Sequence, residues 1–482
     1  MRFVRRRSSR GGSSTCYSTY LVRATALILA VALVLGALTS LTILSRSLAV
    51  QGYGRLDPAL YEELQRGKVA TAYISYTGNL DLSLRCAKMW RFGDLRICKT
   101  VVDLETVHRL LREENVVSIY GAKTMHEAPV YYLPIQQYEE FREVDIDNEF
   151  HRADGTWCGR NVTVAIIDTG IDYTHPDFFD ENGRSIIRIL VSILYRWENG
   201  SYVTWNLEKN PDIDALLAFD KDIWTRYGEP AFLDLNGHGT HVAGIIASRG
   251  WASEGKYRGI APCAKLVIIK AFNKDGVASL DDCLSALEWV YNNSERYSIK
   301  ILSLSWGASF ASNGNDPLSL ACDKIFLDKH VWIFAAAGNE GNFPTTIVVP
   351  AVAKHVVAVG AWDAYHDRLA PFSSLGPTVD ARMKPDFVAA GVMIVSTASQ
   401  YAQFPDEYMV GKYYVALSGT SMATPVMAGI AADFIEYYRY WHHGKDPTLR
   451  DFIEWELHNG RRINLLFKDF ITGYGIPIAP HG

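Results

Sequence analysis

The sequence predicts an α/β fold: a doubly wound, mostly parallel sheet flanked by helices and preceded by a small α/β domain. The first observation is an apolar run over residues 162–167 that ends in Asp168, because a buried parallel strand presents an acid in this way at its carboxyl end. The second is a pair of small-residue helical segments: one starts at His238, directly after Gly237, and the other, residues 426–432, follows the glycine turn at Gly419. With 482 residues and 48% apolar composition, the chain can bury a sizeable core.

Residues 1–49 have the pattern of a targeting segment. Arginines precede an uncharged apolar stretch over residues 24–44, which is long enough to cross a bilayer. We expect this stretch to be either a retained membrane anchor or a signal peptide cleaved after Ala49. In both cases the arginines stay cytoplasmic, and the rest of the protein is secreted or exposed at the cell surface. The alternative, a buried core helix, fits poorly with the arginine-rich start.

Residues 50–140 are predicted to form a small α/β domain without a catalytic motif. Residues 68–76 and 116–120 have the composition of strands. Residues 104–114 have the periodicity of an amphipathic helix. Residues 141–482 then form the larger domain.

The chemistry of the chain centres on Ser421, which lies between a glycine turn and the start of a helical run. Such a serine is more often a helix N-cap than a nucleophile, so it needs partners. His238, between two glycines, is the candidate general base, and Asp168 is the candidate carboxylate that orients it. A serine hydroxyl is a poor nucleophile at neutral pH, and a histidine held by a buried carboxylate supplies the base that it needs.

The order Asp168, His238, Ser421, together with the local sequence around each residue, resembles that of the subtilisin-like serine proteases. The resemblance covers most of residues 150–440 and continues to residues 472–475. It implies that the aspartate orients the histidine, that the histidine removes the proton of the serine, and that an acyl-enzyme forms and is then hydrolysed.

The resemblance also assigns the residues around the scissile bond. It implies that the side chain of Asn339 donates to the oxyanion alongside the backbone N–H of Ser421. The residues that it implies for substrate binding form two walls of a cleft: Ser305, Trp306 and Gly307 on one side, and Ala337 and Gly338 on the other. The first wall is the edge of a strand, which binds peptides by strand addition.

Two positions in this cleft are of particular interest. Trp306 replaces an aliphatic residue that is common in the family, so we expect a reshaped pocket, in a direction that the sequence does not give. Val349 and Pro350 match a place where the family has a cis proline, and we therefore expect a cis peptide bond there.

The end of the domain formed by residues 50–140 is similar to the inhibitory propeptides of the same family. The resemblance implies a domain that packs on the enzyme, assists its folding and is removed by self-cleavage. The expected cleavage lies between residues 123 and 138, near residues 125–127. A permanent N-terminal domain is the alternative.

Seven cysteines indicate an oxidising destination. Cys16 lies before the apolar stretch, and the other six allow fifteen pairings. Cys86 and Cys98 are close in sequence, the resemblance implies that the loops of Cys158 and Cys263 are neighbours, and Cys283 and Cys322 lie on consecutive helical stretches. These three pairs are the predicted disulfides, and reduced buried cysteines are the alternative.

A catalytic metal is not expected. His238 and His241 are three residues apart with Asp234 upstream, which is not the spacing of a zinc-protease helix. The family's calcium-binding loop is replaced over residues 249–259, and Asp177 alone supplies too few oxygen ligands. Structural calcium elsewhere stays possible without assigned ligands, and the chemistry requires no cofactor.

The sequence as a whole predicts an exported serine endopeptidase that is made as a self-processing precursor. Its partners are protein or peptide substrates and its own propeptide, with a membrane as a possible further partner through residues 24–44. A net charge of −5 argues against nucleic acid, and the oligomeric state stays open. A peptide ligase or cyclase of the same fold and a catalytically silent, membrane-tethered binding protein are the alternatives. The chain between Asp168 and His238 is longer than in compact members of the family, and the extra material includes residues 194–200 and 212–229. We expect this insertion to be a surface decoration, and restriction of substrate access to the cleft is the alternative.

Overall fold

The computed structural model describes residues 54–80, 84–127, 131, 133, 146–464 and 468–481. Within these ranges no helix combines the length and the apolar character that a membrane crossing needs. The predicted anchor or signal over residues 24–44 lies outside the described residues. Arg55–Gly482 form one compact unit.

An antiparallel sheet forms the centre of the N-terminal domain, and it includes the two strands predicted over residues 68–76 and 116–120. Its strands, in the spatial order β2-β3-β1-β4, are β1 (Ala70–Thr77), β2 (Lys88–Phe92), β3 (Leu95–Val102) and β4 (Val116–Gly121). Two helices, α1 (Pro58–Gln65) and α2 (Leu104–Leu110), supply apolar side chains to the same core as the sheet. Asp57 and Asp103 cap these helices, because each carboxylate accepts a hydrogen bond from a backbone N–H of the first turn.

A mostly parallel sheet forms the centre of the larger domain. Its strands are β6 (Thr163–Asp168), β7 (Ile187–Arg196), β8 (Tyr202–Asn206), β9 (Lys265–Lys270), β11 (Ile299–Leu304), β13 (Trp332–Ala336), β14 (Val357–Asp363), β15 (Arg368–Leu369) and β16 (Phe387–Ala390). The spatial order is β15-β14-β13-β11-β6-β9-β7-β8, with β16 paired to β14. The pairs β14–β15 and β7–β8 are antiparallel, and the other pairs of this sheet are parallel.

Helices cover both faces of this sheet, which confirms the predicted doubly wound fold. The helices of the larger domain are α3 (Ile146–Phe150), α4 (Ile213–Tyr227), α5 (His238–Ala247), α6 (Leu280–Asn293), α7 (Pro317–Lys329), α8 (Thr420–Trp441) and α9 (Leu449–Asn459). Helices α5 and α8 share one apolar core with Val164 and Ile166 of β6, whereas α6 and α7 share the other core with Ala165 and Ile167. The alternation of side chains along β6 therefore supplies both cores.

Two small sheets complete the larger domain. One joins β17 (Ile394–Thr397), β18 (Met409–Val410) and β19 (Tyr414–Leu417). The other joins β10 (Val277–Ser279) and β12 (Trp306–Gly307) to the strand β5 (Thr124–Glu127), which follows the N-terminal domain. The Val349–Pro350 peptide bond is cis, as expected.

The N-terminal sheet packs on helices α6 and α7. Apolar residues of its strands, among them Tyr73, Trp90 and Phe92, join the core that contains these helices. At the border the hydroxyl of Tyr73 donates to Asp281, and the indole N–H of Trp90 donates to Ser285 at 3.0 Å. Through this packing, β5, which follows the sheet in the chain, lies next to β10 and β12 of the larger domain.

Two of the three predicted disulfides are formed: Cys86–Cys98 and Cys158–Cys263. The third prediction is wrong, since Cys283 and Cys322 are free and buried, on α6 and α7. Burial in the apolar core raises the pKa of both thiols, which disfavours the thiolate through which a disulfide forms.

The insertion between Asp168 and His238 is ordered. It contains the β7–β8 hairpin and α4, joined by an aromatic cluster in which Phe219 lies between Trp197 and Trp205. The buried carboxylate of Asp220 on α4 accepts hydrogen bonds from the backbone N–H groups of residues 231, 232 and 233. The insertion therefore holds the segment that leads to His238. This contact was not part of the expectation that the insertion is a surface decoration.

Candidate active site

Asp168 lies at the carboxyl end of β6, the strand between β9 and β11. It is buried, and its Oδ1 accepts from the backbone N–H of Thr169 at 2.8 Å. The same Oδ1 is 2.8 Å from Nδ1 of His238, which donates the ring proton. A carboxylate without solvent contact thus faces one nitrogen of the imidazole.

His238 is the first residue of α5, and Gly237 before it has φ 96°, which favours glycine. A Cβ at position 237 would lie 2.3 Å from the ring of Phe404, so the turn also requires the absence of a side chain. Burial opposes a charge on His238, but the carboxylate of Asp168 outweighs it and raises the pKa of the imidazole to about 9.

Asp234 precedes this turn, and its carboxylate accepts hydrogen bonds that hold the local structure. Its carboxylate accepts from the backbone N–H of Gly237 at 2.8 Å and from the hydroxyl of Thr169 at 2.9 Å. It also accepts from the N–H and the hydroxyl of Thr240. These four donors fix the start of α5 relative to the end of β6.

Ser421 is the second residue of α8 and is fully buried. Its Oγ lies 3.6 Å from Sδ of Met422, and the hydroxyl of Ser305 donates to the Ser421 carbonyl at 2.9 Å. Nε2 of His238 makes no hydrogen bond within the described ranges. Serine–histidine bonds are often formed only with substrate, so this rotamer leaves the predicted pairing open.

Asn339 follows β13 and contacts the residue before the serine. Its Oδ1 accepts from the backbone N–H of Thr420 at 2.9 Å and from the Thr420 hydroxyl at 2.8 Å. With Oδ1 held in this way, the carboxamide lies against the first turn of α8. The Asn339 amide therefore lies at the N-terminal end of α8, where the helix dipole is positive.

The strand β5 occupies the cleft next to this group of residues. It is the central strand of three, antiparallel to β10 on one side and to β12 on the other. Trp306 is opposite Glu127, and the backbone N–H of Glu127 donates to the carbonyl of Gly276 at 3.0 Å. The chain thus binds its own segment by strand addition.

Four residues further on, Tyr131 contacts the segment that precedes Ser421. Its backbone N–H donates to the carbonyl of Ser418 at 2.8 Å, and its hydroxyl donates to the carbonyl of Asn339 at 2.9 Å. Its ring is stacked on Phe372. Glu127 and Tyr131 therefore contact different segments of the candidate active site.

A cavity of about 440 Å³ opens between the two walls of the cleft. Gly307 and Gly338 line it, and Val348 lies between them: a Cβ on either glycine would meet a Val348 methyl group at 2.5 or 2.6 Å. Glu340 also lines the cavity and accepts a hydrogen bond from Ser309. The cavity is thus narrow at Val348 and has a carboxylate on its wall.

The five residues expected to bind substrate differ in their positions. Gly307 and Gly338 line the cavity, whereas Ser305, Trp306 and Ala337 do not. The indole of Trp306 is buried in the core, and its N–H donates to the Ile167 carbonyl at 2.9 Å. Trp306 therefore contacts the bound segment through its backbone, and its side chain does not reshape the cavity.

The hydrogen bonds of His241 and Asp177, the two side chains considered as metal ligands, do not fit binding of a metal ion. Nε2 of His241 lies within 3.1 Å of two backbone carbonyls. The Asp177 carboxylate accepts from Ser248 at 2.7 Å, from the N–H of Ala252 at 2.9 Å and from the Tyr414 hydroxyl at 2.6 Å. Its oxygens are therefore occupied by protein donors. The described ranges contain no group of three metal-ligating side chains.

The expected cleavage window of residues 123–138 included Glu127 and Tyr131, whereas sequence reasoning missed Asn236, Glu340 and Val348 as residues of the cleft. Asn236 and Glu340 are next to predicted motifs, so the local sequence carried a signal for them. The positions of Glu127 and Tyr131 depend on pairing over more than 170 residues with β12 and Ser418, for which no local pattern exists.

Comparison with known proteins places this geometry in a family. Residues 159–475 match the family model described as the subtilase family. The chain is 34% identical over 363 residues to the serine protease AprX of Bacillus subtilis (strain 168), covering 71% of this chain and 70% of that protein. It is 33% identical over 270 residues to the thermophilic serine proteinase of Bacillus sp. (strain AK1), covering 56% of this chain and 51% of that protein. The solved structure of the Clostridium perfringens CspB protease covers 70% of this chain and 96% of its own, with a TM-score of 0.57 and 20% identity, and supports the fold.

Proposed function

The chain belongs to the subtilase family of serine proteases, and from this premise we propose that it is an exported endopeptidase that cleaves its own precursor through Asp168, His238 and Ser421. The observation that carries the proposal is the buried contact of 2.8 Å between Asp168 Oδ1 and His238 Nδ1, at the same end of the sheet as Ser421.

Each residue has one task in the proposed reaction. His238 takes the proton from Ser421 as the serine oxygen attacks the peptide carbonyl, and Asp168 stabilises the imidazolium that forms. The side chain of Asn339 and the backbone N–H of Ser421 donate to the oxyanion. The amine leaves with the proton from His238, and water then hydrolyses the acyl-enzyme.

Self-cleavage is supported by the path of the chain through the cleft. Glu127 pairs with Trp306 and Tyr131 pairs with Ser418, on two segments of the candidate active site, so we propose that the scissile bond is one of the four peptide bonds between them. The proposal refines the expected window of residues 123–138. The part of the domain of residues 50–140 that precedes the cut is then the propeptide, and the enzyme begins after the cut.

Export is supported by the Cys86–Cys98 and Cys158–Cys263 disulfides, which persist in oxidising compartments. In the same proposal residues 24–44 direct export, either as a retained membrane anchor or as a signal peptide that is cleaved after Ala49. The reaction needs no cofactor. A structural calcium ion at a position other than Asp177 stays a prediction.

The experiment compares the purified precursor with its Ser421→Ala variant by intact mass and casein hydrolysis. We expect the wild type to lose its N-terminal segment by a cut between Glu127 and Tyr131 and to digest casein, and the variant to do neither. Inert wild-type protein under all conditions would favour the silent binding protein. Products in which a competing amine replaces water in most turnovers would favour the ligase.

A further inference from the structure

The side chain of Glu127 occupies a small pocket beside the active site. Nδ2 of Asn236 donates to its Oε1 at 3.2 Å. On the opposite side lies Gly276, whose φ of 69° favours glycine. A Cβ at Gly276 would lie 2.5 Å from Cδ of Glu127, so the carboxyl group fills space that this glycine leaves open.

The orientation of the Asn236 amide is fixed from both ends. Its Oδ1 accepts from the backbone N–H of His238 at 3.1 Å, and its Nδ2 also lies 3.3 Å from the carbonyl of Lys274. A flipped amide would place the oxygen against that carbonyl and the NH₂ group against the His238 N–H. The pocket therefore presents a hydrogen-bond donor to the side chain that enters it.

The insertion holds the wall of the pocket in place. The carboxylate of Glu229 accepts from the backbone N–H of Lys274 at 2.9 Å and lies 2.9 Å from Nζ of the buried Lys270. Nζ of Lys270 in turn donates to the carbonyl of Thr169, the residue after Asp168. Lys270 thus contacts both Glu229, which holds the wall of the pocket, and Thr169, which follows Asp168.

The pocket accepts a carbonyl oxygen better than a full negative charge. Oε2 of Glu127 is buried and makes no hydrogen bond with the described residues. Burial raises the pKa of this carboxyl group, and Asp168 and Asp234 add to the rise, whereas the charge of His238 and the hydrogen bond from Asn236 oppose it. A neutral group of the same length therefore fits this environment at neutral pH.

We propose that Asn236 and Gly276 form a specificity subsite for glutamine and for glutamate, recognised through the side-chain carbonyl oxygen. The inference rests on the proposed endopeptidase function and names a feature of its substrates. Methionine has similar length but no carbonyl oxygen, and lysine would bring a donor against the Nδ2 donor of Asn236.

The test uses the processed enzyme and a fluorogenic peptide with the sequence of residues 121–135, in which position 127 is Gln, Glu, Met or Lys. A lost hydrogen bond in a buried site predicts that Gln is cleaved about five- to tenfold faster in kcat/KM than Met. Glu should approach Gln at low pH and fall below it as pH rises, because the ionised form fits the pocket less well. The same Gln and Met exchange at position 126, whose side chain is exposed, is the matched control and should change the rate less than twofold.

An Asn236→Asp variant replaces the donor by an acceptor, and its Glu-to-Met ratio at neutral pH should fall below that of the wild type, because an ionised glutamate has only acceptors, whereas glutamine can turn its NH₂ group towards the new carboxylate. Because the readout is a ratio within one enzyme, a general loss of activity does not affect it. In the full-length precursor, Glu127→Met should self-cleave more slowly than Glu127→Gln. Equal rates for Gln and Met in both assays would overturn the subsite and leave the protease in place. Wild-type protein without any hydrolysis of peptides or casein would overturn the proposed function and the subsite with it.

Discussion

The protonation of His238 sets the pH dependence expected of this protein. Burial lowers the pKa of the imidazole, but Asp168, Glu127 and Asp234 outweigh it, so that the pKa rises to about 9. A general base must be neutral, and the neutral fraction grows about tenfold per pH unit below the pKa. We therefore expect the rate of precursor self-cleavage to rise with pH and to level off near pH 9, as measured by the loss of intact precursor over time.

A variant separates this effect from general alkaline activation. Glu127→Gln removes one of the carboxylates that raise the pKa of His238, so its profile should rise at lower pH than that of the wild type. Coincident profiles for the two precursors would contradict the electrostatic account.

Val348 is expected to limit the size of the side chain that enters the cavity. Its methyl groups lie against Gly307 and Gly338, where neither wall has a Cβ. Val348→Gly should raise the kcat/KM ratio of substrates with phenylalanine over alanine before the scissile bond by about tenfold or more, since each methylene in an apolar pocket is worth about 1–3 kcal/mol. Val348→Ile is the matched control and should lower the ratio. An unchanged ratio in both variants would show that the side chain enters elsewhere.

At the level of elements, the sequence predicted the strands and helices that carry the proposed catalytic residues. Asp168 ends an apolar strand, His238 begins a helix after Gly237, and Ser421 is the second residue of the helix that follows Gly419, so a local pattern marks each of them. The direction of the Trp306 side chain and the state of Cys283 were not predictable in this way. They depend on which core a side chain enters, and long-range packing decides that.

The loop after α5 is expected to keep its structure without a metal ion. The hydroxyls of Ser248 and Tyr414 and the N–H of Ala252 all donate to Asp177. Hydrogen bonds to charged groups are worth about 1.5–3 kcal/mol, so Tyr414→Phe should lower the free energy of unfolding by about this amount. Thermal melts of both proteins with and without EDTA check this, and EDTA should have the same effect on each. A larger effect of EDTA on the wild type would indicate that Tyr414 supports a metal site.

The bonded and the free cysteines of the larger domain are expected to differ in their contribution to stability and in their reaction with an alkylating reagent. The Cys158–Cys263 bond closes a loop with a sequence separation of 105 residues, for which chain entropy gives about 4–5 kcal/mol. Cys158→Ser should therefore lower the unfolding midpoint in denaturant strongly, and Cys283→Ala much less. Alkylation of the denatured, unreduced protein should modify Cys283 and Cys322, as read by peptide mass. Peptides in which these two residues stay unmodified would show that the third predicted disulfide is formed after all.

The molecule as a whole holds its N-terminal domain at two places. The sheet packs on α6 and α7, and β5 extends from it into the cleft between β10 and β12. Cutting the chain after β5 leaves both contacts intact, because neither depends on the peptide bonds between Glu127 and Tyr131. Self-cleavage alone is therefore not expected to free the cleft, and release of the cut domain becomes the slower step.

Release should then depend on the polar contacts at the docking face. Asp281 on α6 accepts from the hydroxyl of Tyr73 and pairs with Lys99 at 2.9 Å. Asp281→Asn keeps the shape and removes the charge, so we expect casein activity to appear about tenfold sooner after self-cleavage, while the cleavage rate itself changes little. Glu454→Gln is the matched control, since Glu454 on α9 is exposed and pairs with Arg450 of the same helix, which contributes to the core on the other face of the sheet. Activity that follows cleavage without delay in the wild type would show that the N-terminal domain leaves as soon as the chain is cut, and the docking face would then have no part in timing the enzyme.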